Sequence, residues 1–396
     1  MRKSSSPNSL TLADSTLGPT VPWLASGILL AGLGTVLLGP LLPSLAHHWN
    51  LTDEQSGVLL LAKFFGAFCG GVSVPRRLRY GILSGTIVSC LGFGGFALST
   101  GLLSGALTLF LVGVGIGQII ASTNILAGRR YPEHTGSTLA SLNFFFSFGA
   151  VSSGLLVAAL LPIFQMRTPL LYLAGLFLAT GLGGLINSPP SPTPITAEPA
   201  SVPLERSVFL RFALFLLLYG GLETCLTGWL TTFTLRFSDM HLLGGQSPLV
   251  LLWSALTAGR LIASAALRFV RESTVQRLGL ALSAALIGGL AVAHHAATIS
   301  LICILLGLAL APFFPVTFAL LIHHKPSART AGFILAVSGL GAAFFPWLMG
   351  LISTHSGSLR TAMAVPLLLA VVMLILSFLT RDPHLSPTPS QPASPA

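Results

Sequence analysis

Charge is what this chain has least of. Only 8% of its 396 residues are Asp, Glu, Lys or Arg, against roughly 25% in water-soluble domains, and that shortfall excludes an ordinary soluble globular protein. Acids are the scarcer sign, 10 against 20 Lys and Arg, and within the long apolar stretches there is a single one, Glu223. Cysteine is scarce too. Cys69, Cys90, Cys225 and Cys303 all fall inside apolar stretches, at spacings that fit neither a disulfide framework nor zinc, and they read as small packing residues. The histidines His47 and His48, His294 and His295, His323 and His324 come as adjacent pairs. Neighbours on a helix point apart, which argues against a metal site. A Gly-rich phosphate loop ending in Lys-Ser or Lys-Thr is missing. That excludes ATP-driven work by this chain, and it reads as no enzyme and as needing no cofactor beyond a coupling ion.

What fills the chain instead is apolar sequence. Twelve runs, at roughly 21–46, 56–75, 82–101, 104–127, 137–161, 169–187, 208–235, 247–267, 275–294, 297–322, 329–352 and 360–380, each approach the ~20 apolar residues of a membrane-crossing helix. The expected fold class is therefore all-α polytopic membrane protein. The first twenty residues are polar with no signal-peptide pattern, so the first run is expected to be a retained helix. Basic residues cluster on one side of these spans. Arg76, Arg77, Arg129, Arg130, Arg268, Arg277 and Arg381 fall on it, whereas the opposite loops hold only Arg167, Arg236 and Arg360. That asymmetry puts both termini on the cytoplasmic side of a plasma (inner) membrane. It also explains the formal net charge of +10 as a topology signal, leaving no role for nucleic acid.

Residues 188–207 are rich in proline and polar residues and read as an extended cytoplasmic linker. They divide the chain into a cytoplasmic tail (1–20), a first six-helix half (21–187), the linker, a second six-helix half (208–380) and a tail (381–396). The halves echo each other. Arg129-Arg130-Tyr131-Pro132 with Glu133 follows span four, and His323-His324-Lys325-Pro326 follows span ten. A helix rich in Gly and Phe comes next in each case. Six spans repeated in parallel imply a binding site between the halves near mid-membrane.

On these features the chain resembles the major facilitator superfamily over nearly its whole length. The loop after span two, Gly71-Val72-Ser73-Val74-Pro75-Arg76-Arg77-Leu78-Arg79, keeps the basic cluster of that superfamily's gating motif but has Pro75 where relatives carry an aspartate. A closer resemblance is to the fucose permease-like sugar symporters. It is carried by Tyr219-Gly220-Gly221-Leu222-Glu223 with Gly228-Trp229, by Gly259-Arg260, by Gly307 through Pro315 in span ten, and by Asn124. Gly39 and Ala121 stand where fucose permease has acids, so its proton route does not transfer. Exporters of the superfamily usually have a Gly-Pro-rich stretch in helix five, and the proline is missing from Gly149-Ala150-Val151-Ser152-Ser153-Gly154.

Glu223 is the leading candidate, because a carboxyl at membrane depth is costly and by default functional. It lies ~24 Å from the inner end of its span at 1.5 Å per residue, which predicts a place in the outer half and a coupling role toward a proton or sodium. Tyr219, Glu223 and Thr227 share one helix face and form a candidate substrate stripe. Trp229 reads either as a platform for a sugar ring or as an interfacial anchor. Lys63, the one lysine inside a span, either pairs with Glu223 or snorkels to the headgroups. Gln118, Asn124 and Asn143 offer neutral amides that match a ring of hydroxyls; Asn143 also aligns with a sugar-contacting position of fucose permease. Arg260 reads as a gating residue of the inner half, with Arg76, Arg77 and Glu133 in the loops. The expectation is a monomeric secondary transporter in the lipid bilayer, importing a small neutral sugar, a hexose, by cation symport. The alternatives are a proton-coupled exporter of drugs or metabolites, and a carrier of a sugar acid with Lys63 as counter-ion.

Overall fold

The computed structural model describes residues 20–75, 77–130, 135–187, 204–239, 242–266, 271–324, 326 and 328–379. Arg76, Glu133 and most of the expected linker lie outside them. The described residues are helical almost throughout. In order they are α1 (Thr20–Val36), α2 (Leu38–Trp49), α3 (Asp53–Val72), α4 (Leu78–Ala97), α5 (Leu102–Arg130), α6 (Thr135–Leu160) and α7 (Arg167–Asn187). After these come α8 (Arg206–Phe237), α9 (Ser247–Ala266), α10 (Glu272–Val292), α11 (Ala296–Leu310), α12 (Phe313–His323), α13 (Ala328–Ser356), α14 (Leu359–Ala362) and α15 (Ala364–Leu379).

Three spans are built from two helices each: α1 with α2, α11 with α12, and α14 with α15. The break between α1 and α2 falls at Leu37, just ahead of Pro40, which has no N–H to give Val36 and presses its ring on that carbonyl. Pro312 stands at the joint of α11 and α12 for the same reason. Counted this way, the described residues make twelve crossings, the number and order expected from the apolar runs. Large side chains such as Leu91, Leu103, Ile186 and Phe378 are exposed on the outside of the bundle, a belt suited to lipid rather than water.

Lipid is as apolar as leucine, so helices in a membrane associate through close backbone approach at small residues. Between α3 and α5 the contact is reciprocal. A Cβ at Gly66 or Gly70 would strike the carbonyls of Phe110 and Val114, and one at Gly113 or Gly117 would strike those of Lys63 and Ala67. Spans one to six meet the later spans along α3 with α13, α6 with α9, and α2 with α8.

Two arginines make matching contacts in the two runs of six spans. Arg79, at the start of span three, donates from Nη2 to the carbonyls of Gly184 (3.2 Å) and Leu185 (3.3 Å) at the end of span six. Arg277, at the start of span nine, donates to the carbonyl of Ser377 at the end of span twelve (3.1 and 3.3 Å). Each guanidinium satisfies last-turn carbonyls that lack a helical partner and meets the negative end of the helix dipole.

Candidate functional site

The long helix α8 carries the one acid. Glu223 falls close to the midpoint between its ends at Arg206 and Phe237, just on the Phe237 side. Tyr219 and Thr227, one turn to either side, share its face and are both buried. The Tyr219 ring lies flat on Phe313, with centroids 4.8 Å apart and planes 15° from parallel, which fixes the hydroxyl toward the neighbouring helix.

The neighbour is α9, and it brings Arg260. The guanidinium acts electrostatically on both Glu223 and Tyr219, so the acid faces a cation within the last six spans. Arg260 Nη1 also donates to Ser147 Oγ on α6, tying the pair to the first six. Two turns earlier on α9, Trp253 lies 6.3 Å from Phe146, the residue next to Ser147. The seam of α6, α8 and α9 is thus a charge pair walled by aromatic rings.

Several polar groups of this seam are left over. The Thr227 hydroxyl, Trp253 Nε1 and Arg260 Nε are buried without a hydrogen-bond partner, while the Tyr219 hydroxyl faces Glu223 and Arg260. Each such orphan costs about 1–3 kcal/mol, and buried polar groups are nearly always satisfied. Donors and hydroxyls held unpaired around this acid and its neighbouring cation are suited to a polar ligand that completes them. Asn143, one turn before Ser147 on α6 and half-buried, makes no side-chain hydrogen bond among the described residues, which leaves its amide free at the edge of the same seam.

The other candidates are placed elsewhere. Lys63 does not pair with Glu223 and does not snorkel: it is 2% exposed and its ammonium donates to the carbonyl of Thr35. The cation that acts on Glu223 is Arg260, whose guanidinium also reaches Ser147 on α6. Trp229 is neither a platform nor an anchor at the membrane surface. It is 0% exposed, with Nε1 donating to the Pro346 carbonyl at 2.9 Å, and it fastens α8 to α13. Gln118 is engaged among the first six spans, accepting from Ser84 (3.0 Å) and donating to Ser73 (3.4 Å). Asn124 on α5 is half-buried and unbonded among the described residues. Arg77 is exposed and stacks on Tyr80.

One cluster was missed by sequence reasoning. Asp53 accepts from both terminal nitrogens of Arg236 at 2.6 Å and from Ser353 Oγ at 2.5 Å, while the Glu54 amide donates to Thr354 Oγ1 at 2.9 Å. Thr52 and Gln55 close a capping box around this turn, so the start of α3 is rigidly aimed at α8 and α13. The only available signal was Arg236 itself, one of few basic residues on its side.

Comparison with known proteins places these features. The family model described as Major Facilitator Superfamily matches residues 24–331. The 4-hydroxybenzoate transporter PcaK of Acinetobacter baylyi is 31% identical over 150 residues, 36% of this chain and 32% of that protein; the match spans about a third of that relative's own length. Among solved structures, a bacterial homolog of the human lysosomal transporter Spinster, inward-facing and occupied, superposes with a TM-score of 0.73 at 12% identity, covering 91% of this chain and 95% of that one. FucP in its outward conformation superposes with a TM-score of 0.64 at 20% identity, covering 92% and 99%. At such identities these two structures speak to the fold alone.

Proposed function

Because the chain belongs to the major facilitator superfamily, and is a multi-pass membrane transporter rather than an enzyme, we propose that its cargo is a small organic acid, taken up together with a proton. The observation that carries this reading is Arg260, a guanidinium deep in the seam with one nitrogen unpaired beside the one embedded acid. A planar guanidinium matches a carboxylate better than it matches a sugar hydroxyl.

Charge accounting supplies the coupling. Arg260 and Glu223 together are neutral. A carboxylate entering the seam would leave one uncompensated negative charge, at a cost of several kcal/mol in such surroundings. A proton on Glu223 removes that cost and frees Arg260 for the newcomer, so one proton accompanies one acid. Phe146, Trp253 and Phe313 suit the walls of an aromatic or otherwise flat acid, in keeping with the 4-hydroxybenzoate named for the relative. Asn143 and the Tyr219 hydroxyl are placed to meet its remaining polar atoms. The two six-helix halves would rock about this seam, with both termini in the cytoplasm.

The test is counterflow in proteoliposomes with labelled 4-hydroxybenzoate, glucuronate and glucose. Exchange of an acid but not of glucose supports the reading. Glu223→Gln should keep exchange and lose proton-driven uptake, and Arg260→Gln should weaken exchange about thirtyfold, the ~2 kcal/mol of one charge-assisted bond. Exchange of glucose alone would return the chain to the neutral-sugar reading.

A further inference from the structure

Lys63 is a charged group that this carrier site leaves unused. It is buried among the first six spans, its ammonium donating to the Thr35 carbonyl and lying 5.1 Å from the centroid of the Phe64 ring. Leu37 and Leu38 face it from the first span, Phe93 and Phe96 from α4, Leu109 from α5 and Leu170 from α7. Among the described residues no acid and no other titratable group lines this chamber. Phe96 and Leu170 form a partition between it and a second space. On its far side opens a basin of about 1140 Å³ between the ends of α2, α4 and α7, whose wall carries His47, His48 and Arg167.

Size decides what can reach Lys63. The void beside it measures about 10 Å³, at most the room of one water. Sodium with its shell, chloride or a carboxylate has no space there; a proton passed along one water has. Energy decides what Lys63 does with it. An ammonium with one carbonyl and one ring for company, and no counter-charge lining its chamber, is a buried cation with a reason to give up its proton when a route to water opens.

We infer that Lys63 is a proton-exchanging site of its own, filled and emptied from the basin through the Phe96–Leu170 partition and not from the seam of Arg260 and Glu223. On release, Nζ keeps the electron pair and passes one proton to a water that enters the void from the basin. That water hands a proton on to the basin, and a remaining amine N–H still faces Thr35. On uptake the bond to Thr35 becomes charge-assisted and roughly twice as strong. Thr35 is half a turn before the break at Leu37, and beyond that break Gly39 packs against the Thr227 carbonyl on the Glu223 face of α8. The proton on Lys63 therefore stiffens the joint through which the first span touches the carrier seam.

The experiment needs no substrate, so it stands or falls separately from the organic-acid reading. The chain has three lysines, Lys3, Lys63 and Lys325. With lysine side chains isotopically labelled in the full chain in nanodiscs, Lys63→Met identifies the signal. The signal should pass reversibly between its ammonium and amine positions within the pH range over which the chain stays folded. Phe96→Ala should speed solvent exchange of the Lys63 protons several-fold, with Leu170→Ala as the second variant if the first fails to fold. A signal held at the ammonium position throughout would overturn the inference. So would exchange that ignores both partition variants and responds to Arg260→Gln instead.

Discussion

Arg236 and Asp53 face each other as a two-pronged ion pair, each terminal guanidinium nitrogen 2.6 Å from its own carboxylate oxygen. The pair joins the last turn of α8 to the first turn of α3, and Ser353 on α13 closes onto the same carboxylate. Three helices far apart in sequence are thus locked at one end of the bundle. Arg236 is 42% exposed, so water screens the pair and its worth is about 1 kcal/mol or less. Asp53→Asn should shift the population toward states open at this end by about fivefold or less, read as faster labelling of a cysteine introduced at Thr227. Exchanging the two residues, Asp53→Arg with Arg236→Asp, should restore the original rate.

The partner of Glu223 can be separated from its rival by mutant cycles. Arg260 with Glu223 should show a coupling above ~0.5 kcal/mol in exchange affinity, whereas Lys63 with Glu223 should be additive to within ~0.5 kcal/mol. Coupling in the second cycle and additivity in the first would reinstate the Lys63 pairing that the geometry rejects.

Trp229 should behave as a packing residue. Trp229→Phe keeps most of the ring and loses the bond to Pro346, for a cost of ~1 kcal/mol visible as a lower melting temperature. Trp229→Ala leaves a cavity and costs ~3–5 kcal/mol. Neither should alter the substrate concentration at half-maximal exchange in the protein that remains folded.

Glycine substitutions should divide by position. A Cβ at Gly341 would run into the Leu217 carbonyl, whereas one at Gly288 has nothing within 4 Å. Gly341→Ala should therefore separate α13 from α8 and lower the yield of folded protein. Gly288→Ala should be neutral or stabilising by up to ~1 kcal/mol, the gain in helix propensity. Size-exclusion chromatography in detergent checks both.

Much of the site was legible along one helix and little of it between helices. The face shared by Tyr219, Glu223 and Thr227 follows from 3.6 residues per turn, and the cost of a lone carboxyl in an apolar run needs no coordinates. What Glu223 faces is another matter. Each helix can turn about its own axis by 100° per residue of register, and Lys63 and Arg260 are both isolated cations of adjacent spans. Only the packing of Gly66 and Gly70 into α5, which turns Lys63 inward among the first six spans, and the contact of α6 with α9, which turns Arg260 toward α8, chooses between them. Trp229 was ambiguous for the same reason.

The sequence by itself determined that this is an all-helical membrane protein of twelve crossings, and that one acid stands within them. Hydropathy and helix period act locally, and local rules can be read in one dimension. The tertiary structure alone decided that Arg260 answers Glu223, that Lys63 is sealed under a basin, that Trp229 is a fastening, and that Asp53 reaches Arg236. Those facts depend on helix rotation and on where glycines let backbones touch, and no single run of residues encodes them.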